Sequence, residues 1–328
     1  MSGTSMDGVD ASLIRSNGID EFTNILDEYY EYNKNIRMQL IDFKNLIINS
    51  EDLDKYSKKL VELERDITLF HCKIVNEINL KYNDKIDLVG FHGQTIFHNP
   101  KKKISRQLGD GKLLSQFTKI KVIYDFRQAD LQNKGQGAPL TPIFHKLLSK
   151  KINEKYLIEY PICFINIGGI SNITKVIKKD EKIENNLEGF DIGPGNCLID
   201  EWVRKNSKQN FDNNGNIAKS GKIDQFILNQ AIENFTIDSY NKSLDVKDFD
   251  ISFAKGLSFE DGCATITNFT AYLISRGIEY SNDDNKPIKY LLCGGGRKNT
   301  FLIDSIKNYI FNKGNIKLDL IEKYDFNG

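Results

Sequence analysis

The 328-residue sequence has no excess of charge of either sign: Lys+Arg and Asp+Glu are equal at 45 each. That balance argues against a dedicated nucleic-acid binder or membrane-surface binder. No run of about 18 apolar residues is present, so no membrane span is expected. The first ten residues, MSGTSMDGVD, have neither a basic region nor an apolar one, so no signal peptide is expected there. The five cysteines, at 72, 163, 197, 263 and 293, form no CxxC pair and are odd in number. Neither a zinc knuckle nor a dithiol redox motif is supported, and the pattern fits a reducing cytoplasm. Cys163 and Cys293 lie in apolar runs and read as buried free thiols. Neither GxGxxG nor GxxxxGK[ST] occurs, nor a GxSxG elbow. His92 and His98 do not have the spacing of a metal pair on one helix face. There is no internal repeat and no low-complexity linker.

What is present is ordinary globular composition, 40% hydrophobic and 27% charged, enough for a sizeable core and, by length, two domains. Residues 9–14 read as a short strand and 36–48 as a helix. Leu53, Tyr56, Leu60, Leu63, Ile67, Phe70, Ile74 and Ile78 recur every three or four positions, which predicts a helix over 53–80 with Ser50 as its N-cap. Strands are expected at 86–90, 120–124, 163–167 and 290–293, with 173–177 the hairpin partner of 163–167 across the charged turn 178–182. Helices are expected at 140–150, 197–206, 223–234, 263–277 and 300–310. This mixed order, with polar or glycine-rich turns at strand ends, indicates an α/β protein that binds ligands at those ends. The charged run before the 163–167 strand places a boundary near 150–160, giving domains 1–158 and 159–328.

Several constellations carry chemistry. Gly3, Thr4, Ser5, Met6, Asp7, Gly8, Val9 and Asp10 form a small, hydroxylated loop. It reads either as a phosphate loop, with Asp7 and Asp10 toward Mg²⁺ directly or through water, or as a plain N-terminal tail. Asn166, Gly168, Gly169 and Asn172 repeat that chemistry between two strands, where an ordinary hairpin is the alternative. Gly294, Gly295 and Gly296 follow a strand and precede a helix, a setting that favours close approach of a flat or anionic ligand. Asp191 is the one acid in Gly-Phe-Asp-Ile-Gly-Pro-Gly-Asn196, a rigid turn suited to seating a general base or simply capping the next helix. His92 and Gln94, Asp125, Arg127 and Asp130, and Gln136 sit at or just beyond strand ends with donors and acceptors suited to sugar hydroxyls.

In order, MSGTSMDGVD, GFHGQTIFH, DFRQAD, GQGAPLTPIFH, NIGGISN, GFDIGPGNCLIDEW and CGGGRKN together resemble the anhydro-N-acetylmuramic acid kinase family, from Met1 to about Asn299. The resemblance implies the two-lobed sugar kinase/Hsp70/actin fold with ATP between the lobes. It implies that 3–10 and 166–172 face phosphates and that Gly294–Gly296 lie near the nucleotide. It implies that water attacks the anomeric carbon of 1,6-anhydro-N-acetylmuramic acid while O6 accepts the γ-phosphate, in cell-wall sugar recycling in the cytoplasm. Asp191 matches the family's base, and Arg127 is the candidate for the lactyl carboxylate. His92, Gln94, Asp125, Gln136 and Asn196 are expected on the sugar side. ATP, Mg²⁺ at Asp7 and a homodimer are implied with it. Against the family pattern, a short strand before MSGTS and a closing helix after 322–328 are expected to be missing, and 242–249 differs from the usual stretch. The alternatives are another sugar kinase of this fold, or an ATP-binding protein without turnover.

Overall fold

The computed structural model describes residues 2–3, 6–177, 186–235, 240, 244, 246–282 and 288–326. The chain divides into two compact units, Met1–Leu140 and Thr141–Gly328. Among the described residues no helix is long and apolar enough to cross a membrane.

The first unit opens with a hairpin, β1 (Gly8–Ser16) and β2 (Phe22–Glu31), paired antiparallel from Gly8 opposite Glu31 to Ser16 opposite Phe22. Asn17 closes its turn by accepting from the amides of Ile19, Asp20 and Glu21. Helices α1 (Lys34–Leu46), α2 (Ser50–Lys55) and α3 (Ser57–Lys81) follow. Asn33 caps α1 through the Ile36 amide at 2.9 Å. The sequence predicts one helix from 53 to 80, but the chain breaks at Tyr56, whose ψ of 11° leaves the helical range. The N-cap is Asn49 rather than Ser50, because the Asp52 carboxylate reaches back to the Ile48 and Asn49 amides. The apolar stripe of α3 holds nonetheless: Leu60, Leu63, Ile67, Ile74 and Ile78 are buried in one cluster with Leu40 and Leu108. Each such side chain contributes roughly 1.5–3 kcal/mol by leaving water.

Strands β3 (Leu88–Phe91), β4 (Gln94–Asn99) and β5 (Ile104–Leu108), helix α4 (Gly111–Thr118), strand β6 (Lys121–Tyr124) and helix α5 (Phe126–Gln132) complete this unit. β3 pairs with β6 in parallel, and β4 with β5 antiparallel. The turns after β3 and β6 therefore leave the same edge of a parallel pair.

In the second unit, helix α6 (Pro142–Tyr156) precedes β7 (Ile162–Ile167), β8 (Ile170–Val176) and β9 (Leu187–Pro194). Helices α7 (Cys197–Asn206), α8 (Asn216–Ser220), α9 (Gln225–Asn234) and α10 (Phe259–Ser281), strand β10 (Ile288–Cys293), helix α11 (Thr300–Ile310) and strand β11 (Ile316–Leu320) follow. The five strands form one sheet in the order β11-β10-β7-β8-β9. β7, β8 and β9 make an antiparallel meander, while β10 and β11 add in parallel beside β7. Cys163, Ile165, Ile167, Ile173 and Ile192 of this sheet share a buried cluster with Ile266, Leu273, Ile274 and Ile278 of α10.

Helix α6 belongs with the second unit, so the division falls after Leu140 rather than after 158. The reason is packing: the His145 ring stacks on Phe164, centroids 4.6 Å apart, and bonds Thr174 at 2.8 Å. All five cysteines are free and buried. Burial pushes the Cys197 and Cys293 thiols up to about 12. The 178–182 turn lies outside the described residues.

Candidate active site

In the first unit, four of the sequence motifs meet. Gln94 opens β4 and is 1% exposed. Its Nε2 donates to the Gly3 carbonyl at 3.1 Å, and its Oε1 accepts from the Ser2 hydroxyl. Ser2 in turn accepts from Tyr32 Oη at 3.1 Å. The Tyr32 amide donates to the Asp7 carbonyl at 2.8 Å. The glycine-rich loop is thus braced from β4 and from the end of β2. Met6 is buried and left-handed at φ 54°, which turns the chain into β1. Thr4 and Ser5 lie outside the described residues. Gln94, expected on the sugar side, is enclosed and bonded to Gly3, Ser2 and the Thr95 carbonyl.

Negative charge gathers on this loop. The phenol of Tyr29 is pushed up to about 12, first by burial and then by the charges of Asp7, Glu31 and Asp10. Among the described residues no group of three or more His, Cys, Asp or Glu side chains is arranged to hold a metal ion.

The other three motifs meet at Arg127, in the first turn of α5. Its Nε donates to His92 Nε2 at 2.8 Å and its Nη1 to the Gly137 carbonyl at 2.6 Å. His92 Nδ1 lies 2.8 Å from the Gly93 carbonyl and is the donor there, since Nε2 accepts from Arg127. Burial, then the charge of Arg127, push the imidazole down to about 4. The ring is neutral and both nitrogens are engaged. Burial also lowers the Arg127 guanidinium. Asp130, one turn along α5, accepts from the Gly137 amide at 2.7 Å and anchors the loop that carries Gln136. Asp125 is exposed and left-handed at the N-cap of α5, and Gln136 is exposed in its loop.

In the second unit, three glycine-rich turns converge. The Gly168-Gly169 turn joins β7 to β8. The Gly195 and Cys197 amides donate to the Gly169 carbonyl at 2.9 and 3.2 Å, and the Asn196 amide donates to the Gly168 carbonyl at 2.7 Å. A Cβ on Gly195 would strike the Gly168 carbonyl, so only glycine lets these turns lie together. Gly294 has φ 80°, and a Cβ there would strike Asn166 Oδ1. Gly296 likewise abuts Ile167 and Asn196. Asn166, Gly168, Gly169, Asn196, Gly294 and Gly296 therefore form one neighbourhood at the ends of β7 and β10.

Asp191 is not in a turn, as the sequence suggests, but on strand β9, opposite Asn172 on β8. Asn172 lies opposite Asn166 on β7. Directly opposed residues of antiparallel strands share a sheet face, so Asn166, Asn172 and Asp191 form a polar row across three strands. The turn proper begins at Gly195. Asp191 Oδ2 accepts from the Leu244 amide at 2.9 Å. That bond ties the base candidate to the 242–249 stretch, of which 242, 243 and 245 lie outside the described residues.

Sequence reasoning passes over the braces. Arg297 donates from Nη1 to the Gly294 carbonyl at 2.8 Å and from Nε to Glu322 at 2.6 Å. The side chain of Arg297 is 9% exposed. Ser2, Tyr32 and Arg297 touch motif backbone, and Glu322 holds the Arg297 side chain. Nothing in local sequence marks Tyr32 or Glu322, though Ser2 opens the first motif and Arg297 adjoins the glycines.

A family model described as anhydro-N-acetylmuramic acid kinase matches residues 1–319. A protein of that name from Pelagibacter ubique (strain HTCC1062) is 50% identical over 332 residues, covering 100% of this chain and 86% of the relative. One from Brucella canis is 35% identical over 313 residues, covering 93% of this chain and 81% of the relative. One from Zymomonas mobilis is 34% identical over 334 residues, covering 100% and 87%. The α/β architecture of both units agrees with the sugar kinase/Hsp70/actin fold that the family resemblance implies.

Proposed function

Because this chain belongs to the anhydro-N-acetylmuramic acid kinase family, we propose that it opens the ring of 1,6-anhydro-N-acetylmuramic acid with water and phosphorylates O6 from ATP. The products are N-acetylmuramic acid 6-phosphate and ADP, an entry into recycling of cell-wall sugars in the cytoplasm. The observation that carries the reading is the convergence of the Gly168-Gly169, Gly195-Asn196 and Gly294–Gly296 turns, with Asp191 two strands from β7 in the row of Asn166 and Asn172.

In this mechanism Asp191 takes a proton from water as its oxygen bonds to C1 of the sugar. The C1–O6 bond breaks, and O6 becomes the nucleophile toward the γ-phosphorus, with ADP leaving. No base is needed for O6, because ring opening supplies its electron pair. Proton transfer of this kind contributes on the order of 10²- to 10⁴-fold. Positioning and charge neutralisation supply the rest. The 3–10 loop, Asn166, Gly168 and Gly169 face phosphates, and Gly294–Gly296 lie along the nucleotide. Arg127 takes the lactyl carboxylate, for which a planar fork is suited.

Asp7 would hold Mg²⁺, through water. The donor set fits that ion: Mg²⁺ keeps most of its waters and needs one or two carboxylates beside substrate phosphates. When bound, the ion neutralises charge on the transferring phosphate. A homodimer is part of the same proposal.

The test is incubation with ATP, Mg²⁺ and the anhydro sugar, followed by mass spectrometry. ATP-dependent formation of the 6-phosphate is expected. Phosphorylation only of sugars with a free 6-hydroxyl would instead favour an ordinary hexose kinase, and ATP binding without product a non-catalytic protein.

A further inference from the structure

His92 is expected on the sugar from sequence, yet both its ring nitrogens are taken. Nδ1 donates to the Gly93 carbonyl at 2.8 Å, and Nε2 accepts from Arg127 Nε at 2.8 Å. A guanidinium has five N–H groups. Among the described residues, one is used by His92 and one by the Gly137 carbonyl at 2.6 Å. Three remain: both on Nη2 and one on Nη1. That is enough for a two-point contact with a carboxylate. The two bonds also come from different segments of the chain. His92 follows β3, while Gly137 is held by Asp130 at 2.7 Å. Together they fix the plane of the fork before any ligand arrives.

We infer that His92 is a positioning residue that selects for the lactyl carboxylate by holding Arg127. Gly93 fixes the imidazole as the tautomer that accepts at Nε2. Arg127 then has one inner orientation and one outward-facing set of donors. This rests on the reading of Arg127 as the lactyl-binding residue. It adds that specificity for a sugar carrying that acid depends on a side chain that never touches the sugar. A freely rotating arginine loses rotamer entropy on binding, whereas a braced one does not, and pre-organisation of this kind raises affinity. Asp130 acts alongside it by holding the Gly137 carbonyl in place.

The experiment compares two ligands on the full chain by titration calorimetry: 1,6-anhydro-N-acetylmuramic acid, and 1,6-anhydro-N-acetylglucosamine, which lacks the lactyl group. The quantity read is the ratio of the two affinities. Wild type is expected to prefer the lactyl sugar. In His92→Leu that ratio falls by roughly 2- to 13-fold, the range for immobilising one rotamer-rich side chain. In His92→Gln, whose Oε1 can accept from Arg127 Nε, most of the ratio returns. In activity assays of His92→Leu the loss is expected in KM for the lactyl sugar and not in KM for ATP.

A His92→Leu protein that keeps the wild-type ratio overturns the inference and leaves the assignment of Arg127 standing. A loss in His92→Gln as deep as in His92→Leu also overturns it, since shape rather than an acceptor would then matter. Wild type with no preference between the sugars overturns the reading of Arg127 and this inference with it. Calorimetry needs no turnover, so a chain that binds but does not react is still tested.

Discussion

At the scale of single residues, the account gives Asp191 the proton. Asp191→Asn is expected to lower kcat by about 10³-fold, within the usual range for a general base, while leaving ATP affinity unchanged. Equilibrium nucleotide binding beside a product assay checks both halves, and retained turnover would remove Asp191 from the role. Gln94 has a different part. Its amide spans Gly3 and Ser2 from a buried position, so Gln94→Ala leaves the Gly3 carbonyl without this partner. A cost of about 1–3 kcal/mol in stability follows, with a raised KM for ATP and little change in KM for sugar. The reverse pattern in KM would return Gln94 to the substrate. Asp191 could be picked out from its neighbours in sequence, because three glycines and a proline around one acid form a local signal. The contacts of His92 and Gln94 could not. Their partners lie 35 and 91 residues away, and a side chain that holds a loop has the same local sequence as one that holds a ligand.

At the scale of elements, the second unit depends on turns that touch. Gly195→Ala is expected to push the 195–197 turn off the Gly168 carbonyl. An overpacked methyl typically costs about 1–3 kcal/mol, so the melting temperature should fall and KM for ATP should rise together. A variant that melts as wild type does and binds ATP normally would show that the turns need not be in contact. Helices with an apolar stripe were legible from sequence: 197–206 and 300–310 coincide with α7 and α11, and 263–277 lies within α10. Strands flanked by glycine were legible as well, as at β7 and β10. The elements that escaped have no such period. β9 reads LEGFDIGP, where glycine, proline and acid disguise a strand that is held by pairing to β8. β4 and β5 mix polar and apolar residues because their side chains serve the brace at Gln94 and the network of Ser105 and Gln107. β2 and β11 are half-exposed edge partners whose pattern only becomes clear beside their neighbours.

At the scale of the whole molecule, three histidines link stability to pH. Burial, the largest cause in each, holds His71, His92 and His145 down to about 4, against an ordinary value of 6.5. A lowered histidine means that the unfolded chain binds protons more readily between 6.5 and 4. Stability is therefore fully present above about 6.5 and is lost as pH falls through that window, by at most about 1.4 kcal/mol per pH unit for each histidine. Melting temperature should drop steeply between pH 6.5 and pH 4.5, and His145→Phe should flatten part of that slope. A melting temperature flat across this range would contradict the assignment of neutral buried rings. The central claim concerns chemistry, and labelled water tests it most directly. In H₂¹⁸O, with ATP, Mg²⁺ and the anhydro sugar, the account predicts N-acetylmuramic acid 6-phosphate carrying one ¹⁸O at C1 in a promptly quenched sample and none in its phosphate. Label found in free phosphate, with the anhydro ring intact, would contradict it.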